Sequence, residues 1–268
     1  MFHWGPLQTG GPLFIGILNL TPDSFSDGGR FLDPAAALAQ AQALVLAGAG
    51  MLDLGAESTR PGAAPVDAAI EWGRLEPVLS ALVTTLPGLP LSLDTRHGEV
   101  AALGLSRGIQ VINDVTGFSD PAMLELARTS TCGLIAMRSR REGDGFHMPP
   151  YQEASPKDAR RALAELRVVR DRLRGAGIAD ERVLLDPGFG FGTTYLEDLA
   201  LWEALPGLPE ALDWPVTRIC LGLSRKRLLA ARAGTPDLPP AQRDALTARA
   251  HGEALQWGYR VFRTHAIG

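Results

Sequence analysis

Residues 15–29, IGILNLTPDSFSDGG, decide how the rest of the chain is read. Ile15, Gly16, Ile17 and Leu18 form a short apolar run, the pattern of a strand buried on both faces. Polarity changes abruptly at Asn19. Thr21, Asp23, Ser24, Ser26 and Asp27 follow, and Gly28 and Gly29 close the stretch. A buried strand that runs out into a polar loop is how α/β proteins carry chemistry at the carboxyl edge of a sheet. Asn19 stands at that edge, its amide oxygen available to a metal ion or a phosphate-bound water. A single loop of this kind reads most simply as a solvated connection, so recurrence is what matters.

The pattern recurs along the chain. Further apolar runs lie at 51–55, 89–93, 110–112, 132–137, 182–185, 216–223 and 259–262. Between them stand helical stretches at 34–48, 67–86, 99–107, 121–128, 156–174, 196–205 and 240–256. The first of these opens on Asp33-Pro34 and stops at Gly48, a cap and a stop of the usual kind. Eight strands alternating with helices predict an α/β protein of the (β/α)₈ TIM-barrel type. A doubly wound open sheet is the alternative, because alternation alone does not show closure. No stretch of the 268 residues resembles a linker, so a single domain over residues 1–268 is expected. Few residues follow the eighth strand. The C-terminal closing helix is therefore short or absent, which would leave apolar barrel surface exposed unless a partner subunit or further chain covers it.

Composition narrows the classes. A net charge of −4 without a basic stripe argues against nucleic acid as the partner. No apolar run is long enough for a bilayer, and the start of the chain lacks the basic and apolar regions of a secretory signal, so a cytoplasmic protein is expected. Cys132 and Cys220 stand in apolar, strand-like settings and read as buried thiols. Arginine supplies nearly all the positive charge. Lys157 and Lys226 are the only lysines, and a lysine kept in such a chain suggests a site that wants a compact ammonium.

In a barrel the residues just after the strands converge on one mouth. Here they are Asn19, then Thr59 and Arg60, Asp94, Asn113, Asp186, Lys226, and finally Arg263 and His265. Asp94, Asn113, Asp186 and Lys226 offer carboxylates, an amide and an ammonium, which suit the donor and acceptor edge of a flat heterocycle. Asn19, Arg60, Arg263 and His265 suit a polyphosphate and its Mg²⁺, because guanidinium binds phosphate oxygens bidentately and Mg²⁺ takes few protein ligands. Each residue alone has a plainer reading as a helix cap or a surface ion pair. Polar or charged residues after seven strands of eight are harder to explain that way. The fifth strand, ending at Met137, is read as apolar cover, and His3, His97, His147 and His251 have no supporting context.

The motifs resemble those of the dihydropteroate synthases. Residues 17–29 are similar to that family's first signature and residues 53–62, DLGAESTRPG, to its second. Leu93-Asp94-Thr95, Ile112-Asn113-Asp114, residues 185–192 (LDPGFGFG), Ser224-Arg225-Lys226 and Arg263-Thr264-His265 continue the likeness in order. The resemblance implies a transferase of folate biosynthesis that joins dihydropterin-6-ylmethyl diphosphate to 4-aminobenzoate and releases diphosphate. It implies Mg²⁺ as cofactor, a homodimer, and sulfonamides as competitors of aminobenzoate. Carried onto this chain, Asp94, Asn113, Asp186 and Lys226 hold the pterin. Asn19, Arg60, Arg263 and His265 hold the diphosphate, with Asn19 as the metal ligand. Phe25, Thr59, Arg60, Pro61 and Phe189 shape the aminobenzoate pocket, and Asp94, Asp186, Lys226 and Arg60 carry catalysis.

The chemistry agrees with an SN1-like displacement. The methylene left when diphosphate departs is conjugated with an electron-rich ring, and carboxylates at the ring can stabilise it. The neutral arylamine needs no strong base to attack. The chain departs from the family at Ala136, Thr193 and Ala266 and in its short C-terminus. The alternatives are a pterin-binding paralogue without synthase activity and a pterin-dependent corrinoid methyltransferase. The paralogue would lack the phosphate and aminobenzoate residues, and the methyltransferases lack the Ser-Thr-Arg-Pro-Gly loop.

Overall fold

The computed structural model describes residues 2–21, 33–58, 65–142, 145–146 and 149–267. Eight strands of the described chain make one parallel sheet: β1 (Leu13–Asn19), β2 (Met51–Gly55), β3 (Leu91–Asp94), β4 (Val111–Asp114), β5 (Gly133–Met137), β6 (Val183–Asp186), β7 (Cys220–Leu221) and β8 (Val261–Thr264). Their order is β6-β5-β4-β3-β2-β1-β8-β7, and a parallel bridge from Leu185 to Ile219 joins the two edges. The sheet is therefore a closed (β/α)₈ barrel and not an open doubly wound sheet.

The helices are α1 (Pro34–Leu46), α2 (Ala68–Thr85), α3 (Gly98–Ser106), α4 (Pro121–Thr129), α5 (Arg160–Gly175), α6 (Tyr195–Ala204), α7 (Leu208–Leu212), α8 (Arg227–Arg232) and α9 (Asp244–Gln256). Their starts follow local chemistry. The carboxylates of Asp33 and Asp120 cap α1 and α4 ahead of a proline, and Thr194 with Glu197 forms a capping box on α6. The caps thus come from residues outside the strand ends, which leaves those ends free for the mouth.

Register decides what lies inside. Ile15 pairs with Met51, Asp53 with Ser92, Ser92 with Val111, Asp94 with Asn113, and Met137 with Asp186. Because side chains alternate along a strand, one inward set runs around the barrel in layers. Its lower layers are apolar: Leu13, Ile15, Met51, Val111, Ile135, Leu184, Cys220 and Val261 pack together. Trp4 and Phe2 close this end, and their ring atoms occupy the space a Cβ on Gly133 would need. The upper layer carries Asp53, Ser92, Asp94, Asn113, Asp186 and Arg263. The interior thus turns from oily to charged within two residues of each strand.

Three expectations are corrected. The seventh strand is only Cys220–Leu221, with a 3₁₀ turn at Val216–Arg218, and it stops where a Cβ on Gly222 would come within 3.1 Å of an Asp186 carboxylate oxygen. The eighth strand is not left bare: Phe262 is fully buried against the His251 ring (4.6 Å) and Phe14 (5.5 Å). The end of β5 is not apolar cover, because the buried Arg138 and Arg140 follow it directly. Both cysteines are buried and free, as their apolar context indicates. No described helix is long and apolar enough to cross a membrane.

Candidate active site

The mouth has a floor made by strands β2, β3, β4 and β8. Arg263 donates from Nε to Asp53 Oδ2 at 2.6 Å and from Nη2 to Asp94 Oδ2 at 2.5 Å. Asn113 Nδ2 donates to the same Asp53 oxygen at 2.9 Å. Both partners of the guanidinium lie deep in the barrel, where charge is tolerated only when paired. Burial, opposed by Arg263 and reinforced by Asp53, pushes the Asp94 carboxyl up to about 7. The neighbouring Asp114 turns away from the floor. Its carboxylate accepts from the backbone N–H groups of Thr116 and Phe118 and from the Thr116 hydroxyl, which builds the loop after β4.

The opposite wall comes from the loops after β6 and β7. Asp186 closes β6, and its Oδ1 accepts from Gly188 N at 2.8 Å. Burial raises its carboxyl, while that hydrogen bond, Lys226, Arg263 and Arg138 pull it down. Lys226 reaches the mouth through a backbone device: Arg225 takes a left-handed φ of 59° and turns its side chain outward to Asp244 at 2.7 and 2.8 Å. Lys226 is thereby turned the other way, and its Nζ lies 4.3 Å from the Phe191 ring centroid. Burial drives this ammonium down to about 8, opposed by Asp186 and Asp198.

The rim above β1 and β8 is more open. Asn19 ends β1 half-buried, with no side-chain hydrogen bond among the described residues. Ser224 Oγ lies 3.0 Å from His265 Nδ1 and accepts from the His265 backbone N–H at 3.1 Å. If the serine proton goes to Nδ1, Nε2 is left as the N–H donor. Burial, and then the positive charge of Arg225, Arg263 and Lys226, drives the imidazole down to about 3, so it is neutral.

Of the residues expected from sequence, Asp94 and Arg263 pair directly, Asn113 joins them through Asp53, and Asp186 and Lys226 face them. Asn19 and His265 stand on the same carboxyl edge. Phe25, Thr59, Arg60 and Pro61 lie outside the described residues. The base of the second loop is visible: Glu57 pairs with Arg96 at 2.7 Å and accepts from Val66 N at 3.0 Å, tying the two ends together. Phe189 does not reach the mouth. It lies between two left-handed glycines and is 1% exposed in the outer core, whereas Phe191 carries the aromatic face toward Lys226. His97 also has a context that sequence did not show, with Nδ1 2.6 Å from the buried Glu71.

Sequence reasoning missed Asp53, Phe191, Ser224 and Asp198. Asp53 was legible, since it stands two residues after Met51 on the inward face of an otherwise apolar strand. Asp198 was not, because it reaches the site from within α6: it accepts from Gly190 N at 3.0 Å and from Thr193 Oγ1 at 2.6 Å. Thr193, one of the departures from the family, is thus part of the loop's own hydrogen bonding.

A closed barrel with paired acids and an amide on one side, and an ammonium over an aromatic ring on the other, offers the donors and acceptors that a flat, nitrogen-rich heterocycle would need. The family profile for pterin binding enzymes matches residues 15–265. A dihydropteroate synthase of Neisseria meningitidis serogroup C is 37% identical over 96% of this chain and 88% of its own length. The dihydropteroate synthase of Xanthomonas albilineans with 4-aminobenzoic acid superposes with a TM-score of 0.82 at 36% identity, over 96% of this chain and 88% of that one. The Yersinia pestis enzyme in a sulfonamide complex gives 0.82 at 32% identity, over 96% and 90%. The chain belongs to the dihydropteroate synthase family of pterin-binding enzymes.

Proposed function

We propose that this chain condenses 7,8-dihydropterin-6-ylmethyl diphosphate with 4-aminobenzoate to give 7,8-dihydropteroate and diphosphate. The observation that carries the reading is the pairing of the Asp53–Asp94–Asn113–Arg263 floor with Asp186 and Lys226 across one mouth. The ring's N–H groups meet the carboxylates of Asp94 and Asp186, and Lys226 donates to its acceptor atoms, with Asn113 beside them. Aminobenzoate lies against Phe191, with Phe25, Thr59, Arg60 and Pro61 supplying the rest of its pocket.

The C–O bond at the pterin methylene breaks first, and its electron pair leaves with diphosphate. The carboxylates beside the ring stabilise the cationic methylene. The arylamine nitrogen then forms the C–N bond and loses its proton to water or to the departing diphosphate. Neutral His265 and the Nη1 edge of Arg263, which neither carboxylate takes, are the donors on the phosphate side. Asn19 suits Mg²⁺: it offers one unengaged neutral oxygen, and no cluster of three or more acidic, His or Cys ligands stands among the described residues to form a protein cage. Mg²⁺ held there by Asn19 and the diphosphate would spread the leaving group's charge. Sulfonamides compete for the arylamine pocket. The homodimer rests on the resemblance and sedimentation checks it, and fractionation checks the cytoplasmic location.

The test is diphosphate release from the pterin substrate, with and without 4-aminobenzoate. Release that depends on both substrates and yields dihydropteroate supports the proposal. Pterin binding without any condensation would favour the bare binding paralogue.

A further inference from the structure

Two arginines beside the mouth have no part in the chemistry above. Arg138 directly follows β5 and is 1% exposed. Its Nε donates to the Pro187 carbonyl at 2.9 Å, its Nη2 to the Gly188 carbonyl at 2.6 Å, and its Nη1 to Glu165 at 3.0 Å. Arg140 takes the other end of the same loop. Its Nη1 donates to the Gly192 carbonyl and to Glu197 at 2.9 Å, and its Nε donates to Glu165 at 2.9 Å. Glu165 on α5 therefore bridges the two guanidiniums.

The loop is shaped to receive them. A Cβ on Gly188 would stand 1.9 Å from the Arg138 carbonyl oxygen, and one on Gly192 would stand 2.4 Å from Arg140 Cβ. Both glycines are left-handed, with φ of 67° and 80°. At the start of this anchored loop and within it lie the two surfaces that face Lys226. One is Asp186 with its Gly188 hydrogen bond, and the other is the Gly190–Phe191 segment, where a Gly190 Cβ would lie 3.8 Å from Lys226 Nζ. Burying two guanidiniums is costly, and Arg140 Nη2 has no hydrogen-bond partner among the described residues. A loop that needed only cover could have been packed with apolar side chains.

We propose that Arg138 and Arg140, bridged by Glu165, are positioning residues that hold residues 187–192 in the one shape that sets Asp186 and Phe191 against Lys226, and thereby fix the affinity for the pterin. The inference deepens the synthase reading and rests on its pterin pocket. The planar fork is the essential part, because a lysine keeps the charge but cannot reach two carbonyls and a carboxylate together.

The experiment uses the full-length protein and the variants R138K, R138M, E165Q and R161A. Calorimetry measures the Kd for 6-hydroxymethylpterin, steady-state assay measures KM and kcat, and thermal melts check the fold. Arg161 is an exposed third arginine on Glu165 and serves as the control. R138K is expected to weaken pterin binding about tenfold and to raise KM for the pterin diphosphate likewise, with kcat within about threefold of wild type. A network that only stabilises the fold would lower the melting temperature and leave Kd and KM alone. Kd within about twofold of wild type for folded R138K overturns the proposal, as does an equal loss in R161A. If neither Arg138 variant folds, E165Q decides: about threefold weaker binding supports the clamp, and unchanged binding overturns it. Wild-type protein that fails to bind the pterin would instead sink the functional reading itself, so the two failures are distinct.

Discussion

The two halves of the mouth are built on different principles. The floor of Asp53, Asp94, Asn113 and Arg263 rides on strands, so each side chain's direction follows from sheet register, and its charges are held by one another. The wall of Asp186, Phe191 and Lys226 stands at strand ends and in loops, and its shape comes from left-handed residues at 188, 190, 192 and 225. The floor is a charge-balanced layer of the barrel, whereas the wall is a folded loop with arginines threaded behind it. A substitution in the floor should therefore be felt first as stability, and one in the wall first as binding.

That contrast is sharpest at Arg263. R263M would leave the carboxylates of Asp53 and Asp94 buried without a counter-charge, at a cost of about 3–5 kcal/mol in urea unfolding. A loss below about 1 kcal/mol would show that the floor does not depend on the pair. In the wall, K226A should cost about a hundredfold in pterin affinity by calorimetry while the melting temperature moves little, and D186N should follow it. Near-normal affinity in either variant breaks the assignment of that wall to the pterin.

The two phenylalanines of the wall loop give a finer comparison. F191L is expected to raise KM for 4-aminobenzoate about fivefold through the lost ring face. F189L should lower stability by about 1 kcal/mol and leave both KM values unchanged, because that ring is in the outer core. Reversed effects would put the wrong ring in the pocket. The smallest effect is in pH. Asp94 gains its charge as pH rises through about 7, and Lys226 loses its own as pH rises through about 8. The profile of kcat/KM for the pterin substrate should therefore climb to a narrow optimum between these values and fall on the alkaline side. A plateau extending well above pH 9 would contradict the Lys226 limb.

The same division explains what the sequence disclosed. Strand-borne site residues could be located from the alternation of apolar runs and polar ends, which is why Asp94, Asn113, Asp186 and Arg263 were placed at a mouth from residue types alone. Asp53 follows the same rule and was passed over only because it sits inside an apolar run. Arg263 was assigned to phosphate, and its engagement with Asp53 and Asp94 was not visible, since pairing across the barrel links residues 210 and 169 positions apart. Loop geometry was opaque for a different reason. Whether Phe189 or Phe191 faces the mouth depends on backbone turns at Gly188, Gly190 and Gly192, and periodicity carries no information about those. Arg138 and Arg140 looked like the start of an irregular polar stretch because their partners, loop carbonyls and the distant Glu165 and Glu197, leave no local mark in a sequence.

The central claim is that floor and wall close on one pterin ring, and a crystal structure of this protein soaked with 7,8-dihydropteroate tests it most directly. The account expects the pterin edge within hydrogen-bond distance of Asp94, Asn113, Asp186 and Lys226, with the aminobenzoyl ring against Phe191. Product bound elsewhere, or a pterin that touches the floor while Lys226 and Asp186 remain out of reach, would contradict it.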